Sequence, residues 1–158
     1  MGTNASINAN ENDRLFMEEA YSEAVTAYKN GETPVGCVIV CNGEIIARAA
    51  NERNTRKNPL FHAEIIAIDQ ACKKINDWRL ENCRLYVTVE PCPMCAGAIV
   101  QARVPVVVYG ASNMKAGCAG TILNILNEPL FNHRSEIISG VMGKECGELM
   151  TLFFKRFR

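Results

Sequence analysis

Apolar and polar positions recur with two periods along this chain, and the switches between them mark its elements. Phe16, Met17, Ala20, Tyr21, Ala24 and Tyr28 follow helical spacing, which predicts a helix from about Asp13 to Lys29. Asn30-Gly31 supplies its stop. Val35 to Val40 is a continuous apolar run that predicts a buried strand, and Asn42-Gly43 is a strong hairpin signal. Ile45 to Ala50 then returns antiparallel, and Asn51 to Pro59 is a polar loop. Helical spacing resumes from His62 to Ile75, with Ile65, Ile66, Ile68 and Ala71 apolar. Leu85 to Val89 is a strand ended by Pro91, Cys92 to Ala102 is a core helix, and Val106 to Tyr109 is a strand entered through Pro105. A Gly-rich loop (Gly110, Gly117, Gly120) leads to a short apolar stretch at Ile122 to Leu126. A short strand at Ile137-Ile138 and a last helix from Lys144 to Phe157 complete the pattern.

Strands alternating with helices after an opening hairpin predict an α/β fold, a mixed sheet flanked by helices. Residues 1–12 are rich in Asn and poor in apolar side chains, which predicts a flexible N-terminal extension. Residues 13–158 then form a single domain, and at 158 residues the chain is long enough to bury a core.

Composition narrows the class. Hydrophobic residues make up 48% of the chain, and no apolar run is long enough to cross a bilayer. The N-terminus lacks a basic start followed by an apolar stretch, so a cytoplasmic protein without membrane contact is expected. The eight cysteines include Cys37 and Cys41 inside apolar sequence, as free buried thiols do, and no secreted disulfide framework is expected. Lys and Arg total 17, as do Asp and Glu, which argues against broad sequence-independent binding to nucleic acid. A short RNA site needs only a few local cations. Two groups offer them: Arg53, Arg56 and Lys57, and Lys155, Arg156 and Arg158. Composition alone favours solvated surface charge for both.

The chemistry is concentrated in His62-Ala63-Glu64 and Pro91-Cys92-Pro93-Met94-Cys95. Cys92 and Cys95 fall on one side of a helix, with Cβ atoms roughly 5–6 Å apart. Two thiolates at about 2.3 Å from one zinc fit that separation. With His62 they make three ligands, which leaves a zinc position open for water, the mark of a catalytic site. Cys92 also opens a helix, whose positive end favours thiolate. Glu64 follows His62 by two residues and points elsewhere, toward substrate and water, as a general acid/base must. Zinc lowers the pKa of bound water from 15.7 to about 7, and Glu64 then relays its proton to the ring nitrogen and the leaving ammonia. H-x-E with P-C-x-x-C is the signature of nucleobase deaminases. The link to deamination comes from that signature and not from spacing alone.

Blander readings compete. Cys92-x-x-Cys95 could be a redox dithiol, but the H-x-E then has no role. Zinc could be structural, with His133 or Cys118 as fourth ligand. His62 could be a core histidine and Glu64 an ordinary first-turn acid. Each residue alone favours the bland reading; the two half-motifs together favour catalysis.

The chain resembles the bacterial tRNA-specific adenosine deaminases of the cytidine deaminase-like superfamily, from about Arg14 to the C-terminus. The resemblance is carried by Pro34-Val35-Gly36, Asn51, His62-Ala63-Glu64-Ile65, the run from Leu85 to Ala98, Lys115-Ala116-Gly117, Asn132-His133-Arg134 and Phe153-Phe154. It implies an α/β/α sandwich with a five-stranded mixed sheet, one zinc per chain on His62, Cys92 and Cys95, and Glu64 as proton shuttle. It implies adenosine-to-inosine conversion at the wobble position of a tRNA anticodon loop. Asn51 and the Ala63 backbone would meet the target nucleoside; Asn132, Phe154 and Arg158 would meet flanking nucleotides. It also implies a homodimer whose sites borrow residues at the subunit boundary.

The chain departs from the family on the substrate side. Ser112-Asn113 replaces Arg-Asp, so Asn113 keeps hydrogen bonding to the target nucleotide without the charge, and RNA-versus-DNA preference is left open. Pro59-Leu60-Phe61 replaces Pro-Thr-Ala and puts bulk beside the expected pocket. Phe157 stands where a cation is common. A deaminase of a free base or nucleoside (guanine, cytosine or adenosine) therefore stays as an alternative, as does a non-catalytic zinc-binding partner subunit.

Overall fold

A computed structural model describes residues 2–156, with side chains from residue 11 onward. Phe157 and Arg158, both singled out in the sequence, lie outside the described residues. The first hairpin pairs β1 (Gly36–Cys41) with β2 (Glu44–Ala50). Asn42 and Gly43 carry φ of 52° and 80°, the left-handed pair that a tight two-residue hairpin turn requires. β3 (Cys83–Val89) lies antiparallel to β1, then β4 (Val106–Ala111) and β5 (Glu136–Ile138) add in parallel. The resulting five-stranded mixed sheet has the order β2-β1-β3-β4-β5.

Alternation along the strands sends side chains to two cores. Cys37 and Ile39 of β1, Leu85 and Val87 of β3, and Val107 of β4 face one layer. That layer consists of α3 (Ala63–Ile75) and α4 (Pro93–Gln101). Val38, Val40, Tyr86 and Val108 face the other, against Met17 and Ala20 of α1 (Gly2–Lys29). The last helix, α5 (Gly143–Arg156), packs along β4. The expected α/β/α sandwich with a five-stranded mixed sheet is therefore the observed fold.

Gly36 permits the close packing of α1 on β1, because a Cβ there would collide with the backbone of Ala20 and Ala24. Asp13 of α1 is buried and accepts hydrogen bonds from the Tyr86 hydroxyl at 2.7 Å and the Arg84 guanidinium at 2.9 Å. Burial, with the Asp13 hydrogen bond, pushes the Tyr86 phenol up to about 12.

Some boundaries shift. Helical backbone begins at Gly2 and not at Asp13, because apolar periodicity marks only the stretch that packs on the sheet. β3 begins at Cys83, two residues ahead of the apolar run, where Arg84 extends the strand with its side chain turned to Asp13 and Tyr86. The polar loop after β2 contains a four-residue helix, α2 (Arg53–Arg56), which its sequence did not signal.

Candidate metal centre and substrate cavity

His62 and Cys92 occupy equivalent places, each the extended residue immediately before a helix, α3 and α4 respectively. Cys95 follows within the first turn of α4. The two helix starts converge at one end of the sheet. His62 Nδ1 lies 3.6 Å from Cys92 Sγ and 3.5 Å from Cys95 Sγ. The ligand atoms of all three residues fall within 4.8 Å of one another, and this is the one such cluster among the described residues. Two sulfurs and one imidazole nitrogen at this spacing form a donor set that fits a metal ion.

The acid–base state of the cluster shows the same readiness. Hydrogen bonding from the Cys95 thiol, reinforced by His62, brings Cys92 down to about 4. Its bond to Cys92, together with burial, drives Cys95 upward, so the pair holds one negative charge and resists a second. A metal dication supplies the charge that a second thiolate needs. The hydrogen bond to Cys92 raises His62.

Glu64 sits in the first turn of α3, 3% exposed, and lines a cavity of about 130 Å³ with His62, Ala63 and Cys92. Burial pushes its carboxyl up to about 7, and the Cys92 charge acts in the same direction. The Ala63 N–H belongs to the helix start, which leaves such amides without an intrahelical acceptor.

Asn51 also lines the cavity. Its amide is pinned: Nδ2 donates to the Thr33 carbonyl at 3.1 Å, and Oδ1 accepts the Arg53 N–H at 3.2 Å. Asn113 also lines the cavity, but its Oδ1 is occupied by the Lys115 and Ala116 N–H groups. The carbonyl end of Asn113 therefore organises its own loop, and the amide nitrogen takes no part in those two bonds. Leu60 and Phe61, expected to put bulk beside the pocket, precede the lining residue His62 but do not line the cavity themselves; Phe61 packs under the Arg56 guanidinium at 4.6 Å.

A larger groove of about 520 Å³ adjoins the cavity and shares Thr33, Arg53, Val89, Asn113 and Met150 with it. Phe154 lines this groove, 48% exposed, with its ring edge-on to Phe153. Asn132 lies elsewhere. It is exposed, and the adjacent His133 ring bonds the Val104 carbonyl at 2.8 Å, just ahead of β4 and at the sheet end opposite the cluster. His133 is thus remote from the metal ligands, and the Cys118 thiol turns to the Ala116 carbonyl at 3.5 Å. Neither belongs to the cluster, so the fourth ligand that a closed structural site needs is not found among the described residues.

Sequence reasoning missed two buried carboxylates beside the cavity. Glu32, 1% exposed, accepts the Asn54 and Thr55 N–H groups and the Thr55 hydroxyl. Glu90, 2% exposed, accepts N–H groups of Asn113, Ala119 and Thr121 and the Thr121 hydroxyl. Burial raises both carboxyls, but these hydrogen bonds outweigh it and hold each below its ordinary value. Arg53, read as surface charge, lines cavity and groove alike.

Comparison with known proteins places the chain in a class and then a family. The family model of MafB19-like deaminases matches residues 11–158. The tRNA-specific adenosine deaminase of Bacillus subtilis (strain 168) is 53% identical over 146 residues, 92% of this chain and 91% of that protein. A solved structure from work on A-to-I editing by tRNA:A34 deaminases at the wobble position aligns with a TM-score of 0.82. It is 38% identical, over 85% of this chain and 98% of that one. The guanine deaminase structure from Bacillus subtilis aligns with a TM-score of 0.62 at 31% identity, over 91% of this chain and 94% of that one. The fold and the family model are those of a deaminase. Within that class, the chain belongs to the tRNA-specific adenosine deaminase family.

Proposed function

We propose that this chain hydrolyses adenosine to inosine at the wobble position of a tRNA anticodon loop, with zinc held by His62, Cys92 and Cys95. The observation that carries the reading is the placement of Glu64, a buried carboxyl on the cavity wall next to three metal donors. Zinc, when bound there, supplies Lewis-acid activation of water.

The chain's own residues do the rest. Glu64 accepts the proton of the attacking water and delivers it to the purine ring nitrogen. It then takes the proton of the hydroxyl now on the ring carbon and passes it to the amino group, which leaves as ammonia. Adenosine and water thus become inosine and ammonia. The Ala63 N–H holds the base, and the remaining Asn51 amide proton holds the nucleoside. The target nucleotide leaves the loop stack to enter the cavity. The adjoining groove takes its neighbours, with Phe154 as a stacking surface and Arg53 and Lys115 as nearby cations. By family pattern Arg158, outside the described residues, would meet a flanking nucleotide.

A homodimer in the cytoplasm is part of this reading. Ile122, Leu123, Leu130 and Phe131 are large apolar side chains left exposed in the segment that contains Asn132. A partner covering them would bring Asn132 toward the neighbouring site. Light scattering checks this: a mass of twice the chain supports it, and a monomer contradicts it.

The 31% identity with a guanine deaminase favours a second reading, free-base deamination. A non-catalytic zinc subunit is disfavoured by Glu64, which a binding-only fold does not need at the cavity. The discriminating experiment offers the zinc-loaded protein an anticodon stem-loop with a wobble adenosine and, separately, guanine, cytosine and adenosine. Inosine in the RNA alone supports the proposal. Product from small molecules alone supports the second reading, and no product from any substrate supports the non-catalytic one.

A further inference from the structure

Glu90 has an environment unlike that of an ion-paired carboxylate. It is almost fully buried, no salt bridge to it occurs among the described residues, and its charge is met by hydrogen-bond donors of one segment. Asn113 N–H reaches Oε1 at 3.1 Å. Ala119 and Thr121 N–H groups reach Oε2 at 2.9 and 3.1 Å, and the Thr121 hydroxyl adds a bond to Oε1. The segment 113–121 wraps the carboxylate closely enough that a Cβ on Gly117 would lie 2.6 Å from it. Glu90 is also the residue after β3, and the next carbonyl, that of Pro91, accepts the Cys118 N–H at 2.9 Å. One end of this arrangement is therefore the turn that carries Cys92. The other is the loop that places Asn113 in the cavity wall and Lys115 in the groove.

We propose that Glu90 is a positioning residue that fixes the substrate-side loop 113–121 to the metal-bearing turn, setting substrate affinity without entering the chemistry. This rests on the cavity and groove being the substrate site. All four bonds are accepted by Glu90, so an amide at that place would turn an NH₂ group toward at least one donor and loosen the loop. Cys95 lies within α4 and His62 and Cys92 cap α3 and α4, so the donors are held by helix starts that Glu90 does not bond, and the cluster should persist.

The test compares zinc-loaded wild type, E90Q, T121V and the double variant on the anticodon stem-loop. E90Q is expected to raise KM about tenfold, the scale of one lost charged hydrogen bond, with kcat within about twofold. Zinc stoichiometry should be unchanged. T121V keeps the carboxylate and the backbone donors, so it should fold even if E90Q does not, and it should raise KM less. The double variant should be less than additive, because Thr121 acts through Glu90. A fall in kcat at constant KM, loss of zinc, or strict additivity would overturn the positioning role. Hydrogen exchange reads it without turnover: the amides of Asn113, Ala119 and Thr121 should lose protection in E90Q while those of α4 keep theirs, and unchanged protection overturns it. Wild type inactive on RNA would instead overturn the functional reading, leaving the exchange result to decide the role of Glu90.

Discussion

His62 and Cys92 stand just before helices, so the backbone fixes where their side chains start and the positive helix ends favour anionic sulfur. Cys95 and Glu64, each within a first turn, then diverge in use: one completes the donor cluster, the other lines the cavity. This much was legible in the sequence, because the motif spacing and the helix starts are local. Asn113 was legible only by type. Its loop-capping hydrogen bonds depend on a turn that no periodicity announces. At this scale Glu64→Gln should retain stoichiometric zinc by elemental analysis and lose about 10²–10⁴-fold in single-turnover rate, the usual worth of a positioned acid/base. Normal turnover in that variant would exclude Glu64 as shuttle. Cys92→Ala should lose zinc in the same measurement, and full occupancy would refute the ligand set.

The elements meet through buried polar links that hydrophobic patterning does not reveal. α1 is tied to β3 by Asp13, Tyr86 and Arg84, of which the sequence marks Asp13 as the helix start and Tyr86 as a strand residue but leaves Arg84 outside the predicted strand. Asp13→Asn should lower unfolding free energy by about 1–3 kcal/mol in urea titration, and a change too small to measure would show that the link is idle. Glu32 similarly holds α2, and hence Asn51 and Arg53, against the end of α1. Against the upward push of burial, the Asn54 and Thr55 hydrogen bonds hold its carboxyl below the ordinary 4.5, with the Arg53 charge a smaller contribution in the same direction. A depressed carboxyl stabilises the folded state above its unfolded value and loses that contribution as pH falls through the folded value. Wild type should therefore exceed Glu32→Gln in stability by about 1–3 kcal/mol near neutrality, with the gap closing below pH 4.5. A gap independent of pH would contradict the charged state assigned to Glu32. The strands, the main helices and their order were readable because each has its own period. α2 was not, since four residues are too few to show one.

Across the whole molecule, formal charge is balanced, with 17 basic and 17 acidic residues, so attraction for RNA has to be local. The groove beside the cavity is lined by Arg53, Lys115 and Phe154, and in the proposed function it is the place for that local attraction. No described helix is long and apolar enough to cross a membrane. Chelation of the metal should abolish deamination and zinc should restore it; activity that survives complete removal, verified by elemental analysis, would contradict a metal-dependent reaction.

The most direct measurement runs the zinc-loaded protein on an anticodon stem-loop with a wobble adenosine in ¹⁸O-enriched water, followed by mass spectrometry of the nucleosides. Hydrolysis at this site predicts inosine carrying one ¹⁸O at the former amino position. Unlabelled inosine, or adenosine left intact by fully metallated protein, would contradict the account.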